Sequence, residues 1–522
     1  MTTLISGAQA ETLARKTETQ TGETASGSSS SAHRRRERTL ADRFIFLTLC
    51  VAIVMTTLAY GAVYYWSLAI FAMFGALIIL LWAVDGWQSR VLRLSGNALQ
   101  WPLIGLFIVG LVQLLPFGNT EAAVPLLSST PVRSISLDPY STRLVLVQIA
   151  SLFVYFAATL VFTDSPRRLR TLVRTITIFG FLLAIFGLTQ SFVSPTRVYG
   201  LKELQQSTAF GPFINRHHFA GYMELALALP LGLLFSGAIE KDKRLLYVFA
   251  VALMAVALVM TQSRGGIISL VAELVFLAVL TGFGRAGNVA EHGREKVSRV
   301  RRGLMRAGLA LALIVALFFG VLMLGGEDAL TRFVGTVNTD DPTTGRAHFW
   351  SVALQIIHEH PLLGAGLGAF GVIYTRFDTR NGIFRLEQAH NDYLQVLADA
   401  GIVGAMLGVF FIFALFRMGF ARRRSEDPFR RGVATGALAG CLAVLVHSFF
   451  DFTLHTTSNA LLFLVLAALA TLNGRVEQQG QSRRRRRRRS QSHSSSTFPS
   501  THTVHIGAGR GESSEPSRTP QE

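Results

Sequence analysis

The feature that most constrains this sequence is a series of apolar runs, each about 20 residues long, the length that an α-helix needs to cross a bilayer. The runs begin near Phe44 and continue to Leu472. Half of the 522 residues are hydrophobic and only 16% are charged, whereas soluble domains carry about 25% charged residues. The sequence therefore predicts an all-α polytopic membrane protein with about twelve transmembrane helices.

Polar segments at both ends of the chain predict two tails outside the membrane. Residues 1–42 are rich in Ser, Thr, Gly and Glu, end in the basic string HRRRER, and are predicted to be disordered. Residues 474–522 have low complexity and include an unbroken arginine run, Arg483 to Arg489. Residues 43–473 are predicted to form the transmembrane domain, with the first span as a retained signal anchor.

The distribution of basic residues predicts the orientation of the spans. The strings HRRRER, RRLR at 167–170, KDKR at 241–244, RRR at 422–424 and the arginine run fall on one side of the predicted spans. By the positive-inside rule this side is the cytoplasm, with both termini in it. The net charge of +18 lies in tails and short loops. We therefore expect anionic phospholipids at the basic tails and no nucleic-acid partner.

Residues 326–400 form one large loop on the opposite side, between predicted spans nine and ten. Its string RAHFWSVALQIIHEHP has apolar residues at helical spacing, and the following LLGAGLGAFG predicts a tight turn or close approach to another group. Loops of this length are commonly functional. The string HND at its end predicts a helix start, with Asp392 as the N-cap and Gly401 as a stop or bend.

Candidate chemistry lies at four external sites. Arg216 and His217 lie at the mouth of the sixth predicted span, Arg264 opens the eighth, and Arg346 and His390 belong to the large loop. Arginines at external span ends oppose the positive-inside bias, so they need a reason. One reason is phosphate binding. The ordinary alternative is that each arginine reaches phospholipid headgroups or pairs with a carboxylate.

Arg264 is the most informative of these arginines. In the string SRGG, Ser263 can cap the helix, Gly265 and Gly266 permit close approach, and the free N–H groups and helix dipole add to the guanidinium charge. Such a helix start is an anion site. The anion expected at this depth is a lipid-linked phosphate or pyrophosphate.

His390 is the candidate general base, because histidine titrates near neutral pH and this one lies in the external loop. Asp392 is a possible orienting partner, although capping is preferred for it. No histidine spacing matches a standard zinc signature, so neither a metal nor another cofactor is expected. For His447 and Asp451 we expect interior hydrogen bonds. Glu224 and Glu273 lie within predicted spans, where a glutamate can either couple transport to an ion or form a buried hydrogen bond.

Four strings occur in an order that resembles the O-antigen ligase and O-antigen polymerase superfamily of bacterial membrane glycosyltransferases. They are GPFINRHHFAGYMELALALPL, TQSRGG, GRAHFW followed by HPLLGAGLGAF, and HNDYLQVLADAGIVGAML. The resemblance covers roughly residues 197–472. It implies multiple transmembrane helices with a large periplasmic loop. It also implies a glycan donor on undecaprenyl pyrophosphate, a sugar hydroxyl as acceptor, and metal-independent chemistry that inverts the anomeric centre.

The resemblance also implies roles for individual residues. Arg216 and Arg264 would hold the pyrophosphate and His390 would take the acceptor proton. Arg346 would bind phosphate or support the site. His217 and Asn391 are assigned to substrate binding, although capping is the ordinary role of the asparagine.

Several functions remain open at the sequence level. A ligase acting on lipid A-core at the inner membrane is preferred over a polymerase that joins repeat units, and related members glycosylate protein hydroxyls. A transporter or lipid-linked glycan flippase is the alternative from another class. It is disfavoured because the two halves show no evident repeat and the candidate residues gather at one membrane face. An external receptor would give no reason for the arginines.

Overall fold

A computed structural model of the chain describes residues 39–117, 134–204, 208–282, 346–380 and 386–472. The predicted ninth span at 307–325, nearly all of both tails, and loop residues 326–345 lie outside these ranges. Within them the regular structure is mainly helical, and the strands are the antiparallel pair β1 (Arg197–Val198) and β2 (Lys202–Glu203).

The helices are numbered here in chain order. They are α1 (Leu40–Leu58), α2 (Tyr65–Ser89), α3 (Gln100–Gln113), α4 (Pro139–Phe162), α5 (Pro166–Val193), α6 (Arg216–Ser236), α7 (Lys241–Met260), α8 (Arg264–Gly282), α9 (Arg346–Glu359), α10 (Phe370–Phe377), α11 (Asp392–Arg422), α12 (Pro428–His447) and α13 (Thr457–Thr471). Among the described residues, nine helices are long and apolar enough to cross a membrane, and α3 and α13 are shorter apolar helices. The helical membrane class is confirmed. The exact span number and the orientation stay predictions.

The helices begin where the sequence supplies caps. The Ser165 side chain accepts a hydrogen bond from the main chain of α5, and Asp427 does the same for α12. In both helices proline follows at the first position, where its missing N–H costs no hydrogen bond. Asn215 caps α6 through the N–H of His217. Local chemistry therefore fixes the residues at which these helices start.

Helices α6 and α12 form the centre of the bundle and pack against each other closely. A Cβ atom added to Gly232 would lie 2.4 Å from the Cα atom of Gly436, so neither helix tolerates a side chain there. The contact joins the end of α6 to the beginning of α12. Because the two helices are antiparallel, the first turn of α6 lies beside the last turn of α12.

Helix α11 is broken at Gly401, which has φ 63° and ψ −162°. The break lets Ile402 N–H donate to Pro361 O at 2.8 Å, while Ala365 N–H donates to Ala398 O at 2.8 Å. A Cβ atom at Gly364 would lie 2.3 Å from the carbonyl carbon of Asp399. The predicted bend at Gly401 is confirmed. The glycine-rich string that follows α9 makes its close approach to the main chain of α11.

One end of the bundle contains a buried charge network, termed here the Asp42 cluster. Asp42 contacts Arg168 at 2.5 Å and Arg93 at 2.9 Å, and Arg93 also contacts Asp85 at 2.7 Å. The two aspartate side chains are completely buried. The network ties together the beginnings of α1 and α5 and the end of α2.

Candidate functional site

Asp451, in the turn between α12 and α13, is the centre of a second polar cluster. Its side chain is 1% exposed. Its Oδ1 atom lies 3.2 Å from His390 Nδ1, and its Oδ2 atom lies 3.4 Å from Arg346 Nη2 and 3.9 Å from His217 Nδ1. These four residues are termed the Asp451 cluster. Three of the predicted site residues therefore meet around one carboxylate.

The position of His390 is fixed by its main chain and by two aromatic rings. Its φ angle is 51°, a left-handed conformation that a non-glycine residue keeps only when its surroundings impose it. The imidazole stacks on Phe349 with ring centroids 5.9 Å apart and meets the edge of Phe452 at 4.8 Å. The side chain stays 24% exposed. Its Nε2 atom forms no hydrogen bond with the described residues, so this atom is available to a ligand.

The helix start after His390 differs from the prediction in one respect. The N-cap of α11 is Asn391, whose side-chain oxygen accepts from the N–H groups of Tyr393 and Leu394 and whose amide nitrogen donates to Phe449 O. The prediction that Asp392 is the cap was wrong. Asp392 is the first helical residue, and its carboxylate contacts Ser448 Oγ at 2.7 Å and His455 Nδ1 at 2.7 Å. Asp392 therefore supports the turn that carries Asp451.

The predicted cap of α8 is confirmed, because Ser263 Oγ accepts from Gly266 N–H at 3.2 Å. Arg264 follows directly and is exposed, and it forms no hydrogen bond or ion pair within the described ranges. Arg216 opens α6 and is partly buried, and its N–H donates to Thr208 O at 3.0 Å. Its neighbour His217 belongs to the Asp451 cluster. Arg216 and Arg264 therefore both begin helices, and Arg346 is the first described residue of α9.

A buried chain of hydrogen bonds leads from the Asp451 cluster into the bundle. His217 Nδ1 lies 2.8 Å from Ser263 Oγ, which lies 3.4 Å from His447 Nε2. His447 Nδ1 in turn lies 2.8 Å from Glu224 Oε1, and both of these side chains are completely buried. The expected interior hydrogen bond of His447 is confirmed. Glu273, by contrast, is buried with both carboxyl oxygens unbonded in the described part of the chain.

The surroundings of Asp451 favour its ionised form. Burial alone would raise the pKa of this carboxyl group. The hydrogen bond from His390 is the largest opposing contribution, and the net effect holds the pKa below its usual range. An ionised Asp451 accepts the Nδ1–H of His390, which leaves the lone pair of that imidazole on Nε2.

Asp451 is the functional candidate that sequence reasoning assigned to the interior. It is separated from His390 by 61 positions, and Asp392 offered a nearer carboxylate. The available signal was a polar residue in the turn between two late apolar runs, in the string HSFFDFTLH. In the described ranges, no group of three or more His, Cys, Asp or Glu side chains could hold a metal ion.

A bundle of membrane-length apolar helices with arginine, histidine and aspartate gathered at one end defines a multi-pass membrane protein with a polar site. Residues 249–407 match a family model described as O-antigen ligase, and this match supports the resemblance to the O-antigen ligase superfamily. The matched range includes Arg264, Arg346, His390 and Asn391. It excludes Arg216, His217 and Asp451. No curated protein matches the chain.

Proposed function

We propose that this protein is a ligase that transfers a glycan from undecaprenyl pyrophosphate to a sugar hydroxyl of lipid A-core. The reaction takes place at the periplasmic face of the bacterial inner membrane. The observation that carries this proposal is the contact between His390 and Asp451, which leaves a partly exposed imidazole nitrogen as a base beside several arginines. The family match supports glycan transfer of the ligase or polymerase type.

His390 acts as the general base in the proposed reaction. The acceptor hydroxyl oxygen attacks the anomeric carbon of the donor sugar, and His390 Nε2 takes the hydroxyl proton. Asp451 accepts the Nδ1–H and stabilises the imidazolium that forms, as a buried carboxylate does in other histidine bases. Attack on the face opposite the leaving group inverts the anomeric centre.

The arginines stabilise the leaving group in this reaction. As the bond between the anomeric carbon and the phosphate oxygen breaks, the electron pair stays on undecaprenyl pyrophosphate, whose negative charge grows. Arg264 is exposed at the beginning of α8, where the helix dipole also favours an anion. Arg216 begins α6 beside it, and Arg346 joins the site to Asp451. Permanently charged guanidinium groups suit this electrostatic role.

Asn391 has a supporting role in this proposal. Its side-chain oxygen and nitrogen both bind main-chain groups, which fixes the residue that follows His390. Direct contact between Asn391 and substrate stays a prediction. Metal independence is also part of the proposal, and full activity after chelation of divalent ions is the expected result.

The test uses the full-length protein in lipid nanodiscs with an undecaprenyl-pyrophosphate-linked glycan and lipid A-core. We expect the wild type to form glycosylated lipid A-core, and His390→Ala to lose about 10²- to 10⁴-fold in rate, the usual contribution of a general base. His358→Ala, an exposed histidine of α9, is the matched control and should keep full activity.

The product distinguishes the alternatives. Lengthening of the glycan on undecaprenyl pyrophosphate would identify a polymerase, and transfer to a protein hydroxyl would identify a protein glycosyltransferase. If the protein, reconstituted in vesicles, moved the donor from one leaflet to the other without forming a new glycosidic bond, the enzyme proposal would be wrong and a flippase would be favoured. Retained transfer by purified His390→Ala protein would remove the base role alone.

A further inference from the structure

Ser263 joins the Asp451 cluster to the buried side chains of Glu224 and His447. Its Oγ atom contacts Gly266 N at 3.2 Å, His217 Nδ1 at 2.8 Å and His447 Nε2 at 3.4 Å. A hydroxyl group has one proton to donate and two positions at which it accepts. Because the Gly266 N–H can only donate, Ser263 donates to one histidine and accepts from the other.

Two arrangements of protons satisfy this rule. In the first, Ser263 donates to His217 Nδ1 and accepts from His447 Nε2–H. In the second, His217 Nδ1–H donates to Ser263, which donates to His447 Nε2, so that the proton of neutral His447 lies on Nδ1 and faces Glu224. Each arrangement assigns a different proton position to His217.

The surroundings of Glu224 favour the first arrangement. In the second, Glu224 is either a carboxylate with no compensating charge on His447 or an acid whose proton lies on Oε2, an atom without a partner in the described residues. In the first, Glu224 either donates its own proton to His447 Nδ1 or forms an ion pair with doubly protonated His447. Both variants of the first arrangement avoid an uncompensated charge, which is unfavourable in a membrane interior.

We propose that Ser263 is a positioning residue that keeps His217 neutral with its proton on Nε2, so that His217 donates a neutral hydrogen bond to the phosphate of the lipid-linked donor. The inference rests on the proposed function, because the ligand is the proposed donor. The His217 side chain is 22% exposed, and its Nε2 has no partner among the described residues.

The two histidines of the site then differ in role because their Nδ1 partners differ. His390 Nδ1 faces a carboxylate, so it keeps its proton there and offers a lone pair on Nε2. His217 Nδ1 contacts the Ser263 hydroxyl at 2.8 Å, whereas the Asp451 carboxylate is farther away at 3.9 Å, so Nδ1 accepts from Ser263 and the ring offers an N–H on Nε2. One imidazole is a base and the other is a hydrogen-bond donor. His217 therefore does not compete with His390 for the acceptor proton.

The first experiment measures binding of undecaprenyl pyrophosphate, without glycan, to the full-length protein in nanodiscs. His217→Phe keeps a ring but removes the N–H, and should weaken the Kd about 10- to 100-fold, the value of a hydrogen bond to a charged group. His217→Gln keeps an N–H at the Nε2 position and should stay within about fivefold of the wild type. Equal affinity of His217→Phe and the wild type would overturn the inference.

The second experiment reads the proton position directly. Nitrogen NMR of protein labelled in histidine, with the His217 signal assigned from the His217→Gln difference, should show a neutral ring with its proton on Nε2. Ser263→Ala should move part of the population to the Nδ1–H form and weaken the Kd, and Ser263→Thr should restore both. A proton on Nδ1 in the wild type, or an unchanged signal in Ser263→Ala, would contradict the inference.

Two controls separate the possible failures. Ser263→Ala also removes the cap of α8, so its unfolding temperature is compared with that of Ser263→Thr, whereas the His217 variants leave the cap intact. If the wild type does not bind undecaprenyl pyrophosphate, the proposed donor is wrong. If the wild type binds but the variants behave alike, only the role of Ser263 and His217 is wrong.

Discussion

The Asp42 cluster and the Asp451 cluster both pair aspartate with arginine, yet they hold their charges differently. In the Asp42 cluster Arg168 is 7% exposed, and its shortest contact with Asp42 is 2.5 Å. In the Asp451 cluster the charged contacts measure 3.2 Å or more, and His390 and Arg346 are 24% and 22% exposed. The first cluster uses its hydrogen-bonding capacity internally. The second leaves an imidazole lone pair and guanidinium N–H groups for a ligand.

Exposure and contact distance therefore distinguish a structural charge network from a candidate functional site. In a buried network whose groups all bind one another, removing one member lowers the free energy of unfolding, because it leaves a buried charge without a partner. A partly exposed network contributes less to stability, but it holds charged groups in fixed positions where a ligand can reach them. Substitutions in the Asp42 cluster should therefore mainly lower the free energy of unfolding, and substitutions in the Asp451 cluster should mainly lower the rate of glycan transfer.

The largest expected effect is on stability, in the Asp42 cluster. Arg168→Ala leaves Asp42 with one of its two arginines and should lower the free energy of unfolding by about 3–5 kcal/mol, as breaking a buried ion pair does. Unfolding in mixed micelles measures this change. Arg167→Ala, at the exposed neighbouring position, is the control and should change stability little. Transfer per folded molecule should remain normal in both variants, and a specific loss of activity in Arg168→Ala would break the comparison.

The corresponding change in the Asp451 cluster should affect catalysis. Asp451→Asn keeps the shape of the side chain but removes the charge that orients His390, so kcat should fall on the order of 10²- to 10³-fold. The rate of glycan transfer measures the loss, with Asp242→Asn at an exposed position of α7 as the control. The unfolding free energy should also fall, because the contacts of the ionised carboxylate outweigh its burial cost, so the transfer rate is taken per folded molecule. A folded Asp451→Asn enzyme with normal kcat would show that the carboxylate has no catalytic part.

A smaller effect is expected at the exposed arginine. Arg264→Lys replaces a planar fork with a point charge and should reduce kcat/KM on the order of tenfold, because a lysine cannot make two parallel hydrogen bonds to phosphate. Arg143→Lys, an exposed arginine of α4 at the same end, is the comparison and should have no effect. Near-normal turnover of Arg264→Lys would instead favour an arginine that only contacts phospholipid headgroups.

The smallest expected effect is on the pH dependence of stability, through the contact of His455 with Asp392 beside the site. Burial lowers the pKa of His455, but the hydrogen bond to Asp392 outweighs it, so the net pKa is raised. The stabilisation from this pair is therefore complete below the unfolded pKa of about 6.5 and is lost as pH rises through the folded value. The loss should be on the order of 1 kcal/mol for a partly exposed pair. Unfolding curves across this range check it, and His455→Gln should remove this component.

The sequence predicted much of the helix layout and several members of the site. The starts of α6 and α8 lie within a few residues of their predicted positions because caps and apolar runs are local signals. The same local signals favoured Asp392 as the partner of His390. Asp451 is brought to His390 by the packing of α12 against its neighbours, and no local spacing encodes that contact. The choice between Asn391 and Asp392 as cap also depends on Ser448 and His455, which are distant in sequence.

In the proposed reaction, the break in α11 at Gly401 affects where the base lies relative to a lipid-linked substrate. Ten residues, 391–400, separate the break from His390, and the nine helical ones, 392–400, span about 13 Å along the helix axis. Because main-chain hydrogen bonds from both sides of the break join α11 to residues 361–366, the segment 392–400 is held in place relative to the apolar part of α11. In the proposed reaction, this segment sets the distance between the His390 imidazole and the apolar part of α11. A lipid-anchored donor would then meet the base at a fixed distance from the apolar part of the same helix.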